Sequence, residues 1–257
     1  MTNDPGWLIH RYDSVASTMD VASLLARFGA RERTAVVSAE QTAGRGRGGR
    51  PWQAPAGSAI FTTLILRPPV AAHRLSTLPL IAGVAVAEVI ERISGRGVLL
   101  KWPNDVWLEV DVVTAKVAGI LVTSSLRGDS VDHVLVGIGI NVLGGPQELP
   151  SGATSIQAAT GVTVSPAQVF QCLLESFAGA YAVYAAADGR PSLSGWLARA
   201  ALLGEVVTIE DAGRSLAGRF IGVDEDGALL IEETAHQIRK VVAGDLVRGP
   251  RAAGHPE

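Results

Sequence analysis

One cysteine in 257 residues leaves no partner for an intrachain disulfide, so a cross-linked secreted scaffold is excluded. Cys172 sits in the apolar run Ala167-Gln-Val-Phe-Gln-Cys-Leu-Leu174 and reads as a small core residue of a helix. A reducing, cytoplasmic setting is expected. Met1 to Trp7 lacks both the basic start and the apolar run of a secretory signal. The apolar stretch Leu75 to Ala87 is too short to span a bilayer and predicts a buried helix, so no membrane partner is expected. A net charge of −3 argues against a general nucleic-acid binder.

Lysine is scarce as well: Lys101, Lys116 and Lys240 stand against nineteen arginines. Acidic residues are missing altogether between Glu40 and Glu88. Inside that gap lies Gln41-Thr-Ala-Gly-Arg-Gly-Arg-Gly-Gly-Arg-Pro-Trp52. Its glycines, Gly44, Gly46, Gly48 and Gly49, let backbone N–H groups approach a ligand closely. Arg45, Arg47 and Arg50 add permanent charge and a fork that fits phosphate oxygens. With no acid nearby in sequence, the charge of this loop is expected to be unneutralised and to hold an anion.

The rest of the chain has ample apolar residues for a core, 47%. Trp7 to Tyr12 predicts an opening strand, and Ser17-Thr-Met-Asp20 opens a helix to about Phe28, with Gly29 as its stop. Strands are predicted at Thr34–Glu40 and Ser58–Leu66, then a long helix over 74–93. Gly97–Trp102 is a short strand ended by Pro103. Val117–Thr123 and His133–Val142 read as central strands. A helix runs from Ser165 or Pro166 to about Ala187, and a short one covers Leu193 to Ala201. Beyond it, Val206–Glu210, Arg214–Val223, Ala228–Glu232 and Gln237–Val242 are closely spaced strands, with a turn at Asp224-Glu-Asp-Gly227. The expected organisation is a larger unit over 1–202, a small β-barrel over 203–249 and a flexible tail over 250–257.

The loop contains Gly44-x-Gly46-x-x-Gly49, the dinucleotide pattern, but Pro51, Pro55 and Gly57 follow where a helix should open. No Gly-Lys-Ser/Thr follows either, which excludes a P-loop. Some residues read equally well as structural: Ser17 as an N-cap, Asp105 as a turn cap, Trp52 as core and Asn141 as a strand-end residue.

The ordered set Ser17-Thr18, Gln41 to Arg50, Lys101-Trp-Pro-Asn-Asp105, Lys116-Val-Ala-Gly-Ile120 and Gly137-Ile-Gly-Ile-Asn141 resembles the biotin–protein ligases. The resemblance covers nearly the whole chain. It implies an α/β (α+β) fold, with a mixed-sheet catalytic domain of the class II synthetase type followed by an SH3-like barrel. Two departures stand out: Met19 replaces the family's usual Asn, and 106–115 is longer than the usual tight hairpin.

The activity implied is activation of biotin by ATP, with Mg²⁺, and transfer to a lysine of a biotin carboxyl carrier domain. On the same resemblance Lys116 and Arg47 are catalytic. Biotin would be held by Ser17, Thr18, Gln41, Gly44, Arg45, Gly46, Arg47, Lys116 and Gly119. ATP would meet Arg47, Arg50, Trp52, Lys101, Asn104, Asp105, Lys116 and Asn141, with Asp105 the candidate Mg²⁺ ligand. The family sometimes carries an N-terminal DNA-binding unit; here the ligand motif begins at Ser17, and no DNA partner is expected. The oligomeric state is left open between monomer and homodimer. Two alternatives remain: a lipoate–protein ligase-like enzyme, and a non-catalytic biotin-binding regulator.

Overall fold

A computed structural model describes residues 6–248, except 111–112, 129, 212 and 234–236. The proposed tail at 250–257 lies outside the described residues. Strand β1 (Leu8–Val15) leads into α1 (Thr18–Arg27), then β2 (Thr34–Gln41) and β3 (Ala59–Leu66). Next come α2 (Leu78–Ser94), β4 (Val98–Lys101), β5 (Asp105–Val110), β6 (Val113–Arg127) and β7 (Ser130–Asn141). Three helices follow: α3 (Ile156–Thr160), α4 (Pro166–Ala186) and α5 (Ser194–Leu197).

These seven strands form one mixed sheet in the order β1-β2-β3-β7-β6-β5-β4, parallel only between β1 and β2. The expected mixed α/β class is the observed one. Central strand β3 is buried along its whole length, because both of its faces are covered. Its Ile60, Leu64 and Leu66 face α2 and α4, in the main core. Ile65 faces α1, in a smaller cluster with Met19, Ala22, Ala26, Val36 and Leu135. Helix α4 is long and apolar enough to cross a bilayer on length and composition. Its Val169, Phe170, Leu173, Phe177, Tyr181 and Tyr184 are buried at helical spacing, as in a core helix.

A second sheet uses β8 (Val206–Asp211), β9 (Arg214–Val223), β10 (Leu229–Glu232), β11 (Ile238–Val241) and β12 (Asp245–Arg248). Its order is β11-β10-β9-β8-β12, with every pairing antiparallel. The turn between β9 and β10 docks on the larger sheet's layer. Asp226 pairs with Arg74 at 2.6 Å, and the Trp102 indole N–H donates to Gly227 O at 3.0 Å.

Several elements differ from the sequence expectation, among them β5 and α3, for which the sequence predicts no element. The helix expected over 74–93 begins as a 3-10 turn, Ala72–Thr77. The α-helix proper starts at Leu78, where Pro79, lacking an N–H, is tolerated in the first turn. Helix α5 is only Ser194–Leu197, because residues from Ala198 turn toward β4: Leu100 N–H donates to Arg199 O at 2.7 Å. Strand β6 is longer than Val117–Thr123, because it pairs with β5 in a hairpin that the sequence reading left irregular. Strand β12 was also missed; its four residues are too few to show a pattern.

Candidate active site

The open face of the sheet, beside α1, carries a cavity of about 310 Å³. Its floor comes from strand alternation. Gly137, Gly139 and Asn141 lie on one side of β7, opposite Leu121 and Gly119 of β6 and Thr63 and Phe61 of β3. The loop after β2 and residues Pro150–Ala153 form the walls.

At one end the first turn of α1 meets β2. Ser17 is the N-cap, with its hydroxyl accepting from Met19 N–H at 3.3 Å, and it is buried. Gln41 Oε1 accepts from the Thr18 N–H at 2.7 Å and the Thr18 hydroxyl at 3.0 Å. Thr18 and Thr63 hydroxyls are 2.9 Å apart. These contacts fix the Gln41 amide with its oxygen toward Thr18, since only an oxygen can accept from both groups. Met19 closes the end, its sulfur against Gly137.

At the other end Lys116 Nζ lies 2.6 Å from Asp105 Oδ1 and 5.3 Å from the centre of the Trp52 ring. Strand β7 stops before reaching Lys116, and residues 152–154 take over the ladder. Lys116 N–H donates to Gly152 O, and its carbonyl accepts from Thr154 N–H, both at 2.9 Å. Trp52 lies flat on the paired glycines of β6 and β7. A Cβ on Gly139 would sit 2.4 Å from the indole, so only glycine leaves room for the ring. The Trp52 indole nitrogen and Asn141 Oδ1 are buried without a partner, while the Asn141 amide donates to Thr154 O at 3.0 Å. Asn104 donates to Ile120 O at 2.8 Å.

The loop folds back as a small hairpin: Gly46 N–H donates to Arg50 O at 2.7 Å and Trp52 N–H to Gly44 O at 2.9 Å. Its charge is not unneutralised, which corrects the sequence expectation. Arg45 pairs with Asp20 of α1, and Arg47 and Arg50 share Asp245 of β12. The acids are absent from the neighbouring sequence but are supplied by the fold. Arg47 has its pKa lowered, first by burial and then by Arg50, with Asp105 and Asp211 opposing. Lys101 is set back from the main cavity, 4.8 Å from the Trp107 ring. It too has its pKa lowered, mainly by burial, with Lys116, Arg50 and Arg47 adding to that and Asp105 opposing.

All the expected residues except Lys101 therefore line or roof one cavity: Gly44 abuts Gln41 and Trp52, and the others border it directly. Sequence reasoning passed over Phe61, Met19, Leu121, Gly137 and Gly139 as site residues. The period of two in Gly137-Ile-Gly-Ile-Asn141 was the available signal, since it puts both glycines on the face of Asn141.

The site of this α/β protein is a cleft that joins an apolar floor to an arginine-bearing loop and an ammonium. A profile of the biotin/lipoate A/B protein ligase family matches residues 12–141, and one of the biotin protein ligase C-terminal domain matches residues 202–249. The chain belongs to the biotin/lipoate A/B protein ligase family. It is 34% identical over 242 residues to the bifunctional ligase/repressor BirA of Bacillus subtilis, covering 93% of this chain and 73% of that one. It is 39% identical over 207 residues to the biotin–[acetyl-CoA-carboxylase] ligase of Paracoccus denitrificans, covering 78% and 84%. The biotin protein ligase of Aquifex aeolicus, solved in complex with biotin and ATP, superposes with a TM-score of 0.76 at 28% identity, covering 93% of this chain and 97% of that one.

Proposed function

We propose that the protein joins biotin to AMP at the expense of ATP, then passes biotin to a lysine of a biotin carboxyl carrier domain. The observation that carries this reading is Lys116, placed where the apolar floor of the cleft meets its basic loop, in a chain of this family. Biotin requires a narrow apolar slot for its chain and a few polar groups for its ureido ring. Met19, Phe61 and Leu121 offer the first; Ser17, Thr18 and Gln41 offer the second. Gly119 leaves the wall open, and Gly44, Arg45, Gly46 and Arg47 cover the carboxyl end.

In the first step a biotin carboxylate oxygen bonds to the α-phosphorus of ATP and the bond to pyrophosphate breaks. Two anions must meet, so fixed positive charge and positioning do most of the catalysis. Lys116 exchanges its Asp105 partner for the carboxylate and an α-phosphate oxygen, while Arg47 and Arg50 hold the remaining phosphates. Asn141 Oδ1 is an acceptor in want of a donor, which suits the nucleoside. Trp52, Lys101 and Asn104 complete that side. In the second step a carrier lysine nitrogen bonds to the acyl carbon and AMP leaves with the shared oxygen.

No group of three or more His, Cys, Asp or Glu able to hold a metal occurs among the described residues. A Mg²⁺ ion brought in with ATP would take Asp105 as its protein carboxylate. When bound, the ion neutralises phosphate charge.

The catalytic unit would end at 202 and the barrel begin at 203, in the connection between α5, which ends at Leu197, and β8, which begins at Val206. A cytoplasmic setting follows from the need for ATP, and the net charge of −3 supports a protein without a DNA partner. The test compares biotin with lipoate in a thermal-shift titration and follows AMP release with a carrier domain present. Stabilisation by biotin alone, with AMP formed, is expected. Stabilisation by lipoate would point to the sister activity, and biotin binding without AMP would point to a sensor.

A further inference from the structure

We infer that Asp245 is a stand-in for nucleotide phosphate: it pairs with both Arg47 and Arg50, and ATP must displace it. The two arginines come from the catalytic unit, and the carboxylate comes from the first residue of β12. Both oxygens of Asp245 gather on one guanidinium nitrogen, Arg50 Nη2, at 3.0 Å and 3.3 Å, while Arg50 Nε donates to Arg47 O at 3.2 Å. Arg47 also donates to Gly244 O at 2.9 Å.

Gly244 is built for this contact. Its φ is 133°, and a Cβ there would lie 2.5 Å from Ile209, so a side chain would push the strand end off the loop. The contact is also built to be exchanged. The Arg47, Asp245 and Arg50 side chains are 29%, 44% and 63% exposed, in the range where ion pairs are weak. Glu210 lies directly across from Asp245 in the β8–β12 ladder, so a second carboxylate opposes the first. A cavity of about 220 Å³ between loop and barrel, lined by Arg47, Arg50, Lys101 and Asp105, gives the arginines somewhere to turn. Displacement of Asp245 then frees the start of β12 when nucleotide enters, which links the barrel to the state of the loop.

Asp245 acts here as a positioning residue, and the inference rests on Arg47 and Arg50 binding phosphate. The experiment titrates the full-length protein with ATP, pyrophosphate and biotin by calorimetry, as wild type, Asp245→Asn and Asp245→Glu. Removing the competing carboxylate should tighten ATP and pyrophosphate by about three- to tenfold, with the KM for ATP falling alongside. Biotin affinity should hold steady, and the Glu variant should return toward wild type. Unchanged or weaker nucleotide binding by a folded Asn variant overturns the inference. A purely structural role would lower the melting temperature without tightening ATP, which also overturns it. In wild type, hydrogen exchange at 242–248 should quicken on adding pyrophosphate; slower exchange there overturns it independently of any variant. Wild-type protein that binds no ATP would instead remove the functional reading beneath it.

Discussion

Lys116 and Gly119 face the same side of β6 although they are three positions apart, and in a regular strand they would face opposite sides. The pairing with β5 slips between Val106 and Trp107, so Val106 pairs with Ala118 and Trp107 with Lys116. Val117 is the extra residue of a bulge, and it is fully buried. The bulge aims the ammonium of Lys116 across Gly119, whose absent Cβ would lie 3.2 Å from Nζ. The site's chemistry thus depends on one irregularity in an otherwise plain hairpin.

The glycine floor gives a direct test. Gly139→Ala would put a methyl carbon 2.4–2.8 Å from the Trp52 indole, against a flat ring that cannot flex away in place. Trp52 must lift off the sheet, so ATP, whose side of the cleft Trp52 completes, should bind at least about tenfold more weakly, by the order of cost of overpacking. Calorimetric titration checks this; wild-type ATP affinity in the folded variant would show that Trp52 does not shape the nucleotide side.

Much of this site is readable from sequence, and the reasons are local. Glycine–arginine loops, a Lys-Trp-Pro-Asn-Asp turn and apolar strands carry their chemistry in adjacent residues. The charge balance of the loop does not. Arg45 meets Asp20 before it in the chain, and Arg47 meets Asp245 almost two hundred residues later; neither pairing leaves any periodic trace. Strand β5 was hidden for a different cause. Its alternation of buried Val106 and Leu108 was present, but Trp107 and the nearby charges masked it in so short a run.

Arg47→Gly should separate the two half-reactions. Lys116 remains to form the adenylate, but the loop loses the guanidinium that grips phosphate. One charged hydrogen bond contributes about 1.5–3 kcal/mol, so release of biotinyl-AMP should quicken roughly ten- to a hundredfold. Freed adenylate acylates exposed amines, and streptavidin blots of added albumin should show bystander labelling. An active variant that labels no bystander would show that Arg47 does not retain the adenylate.

Lys101 is a half-buried ammonium whose charge costs stability. Its folded pKa is depressed, mainly by burial, so the folded state binds fewer protons than the unfolded chain between the folded value and the ordinary 10.5. Stability therefore rises with pH through that window, and at neutral pH the buried charge still carries its full cost. Lys101→Met keeps the apolar stem against Trp107 and removes the charge. Its melting temperature at neutral pH should rise by about 1–2 °C, and ATP should bind more weakly. A lower melting temperature at pH 7, or unchanged ATP affinity, contradicts this role.

Activation of biotin through Lys116 is measured most directly as biotin-dependent exchange of labelled pyrophosphate into ATP, by wild type and by Lys116→Met. Exchange should require biotin and should fall by at least about a hundredfold in the variant with the fold intact, the order of cost of removing one fixed charge at a reacting phosphate. Exchange without biotin, or wild-type rates in a folded Lys116→Met protein, would contradict it.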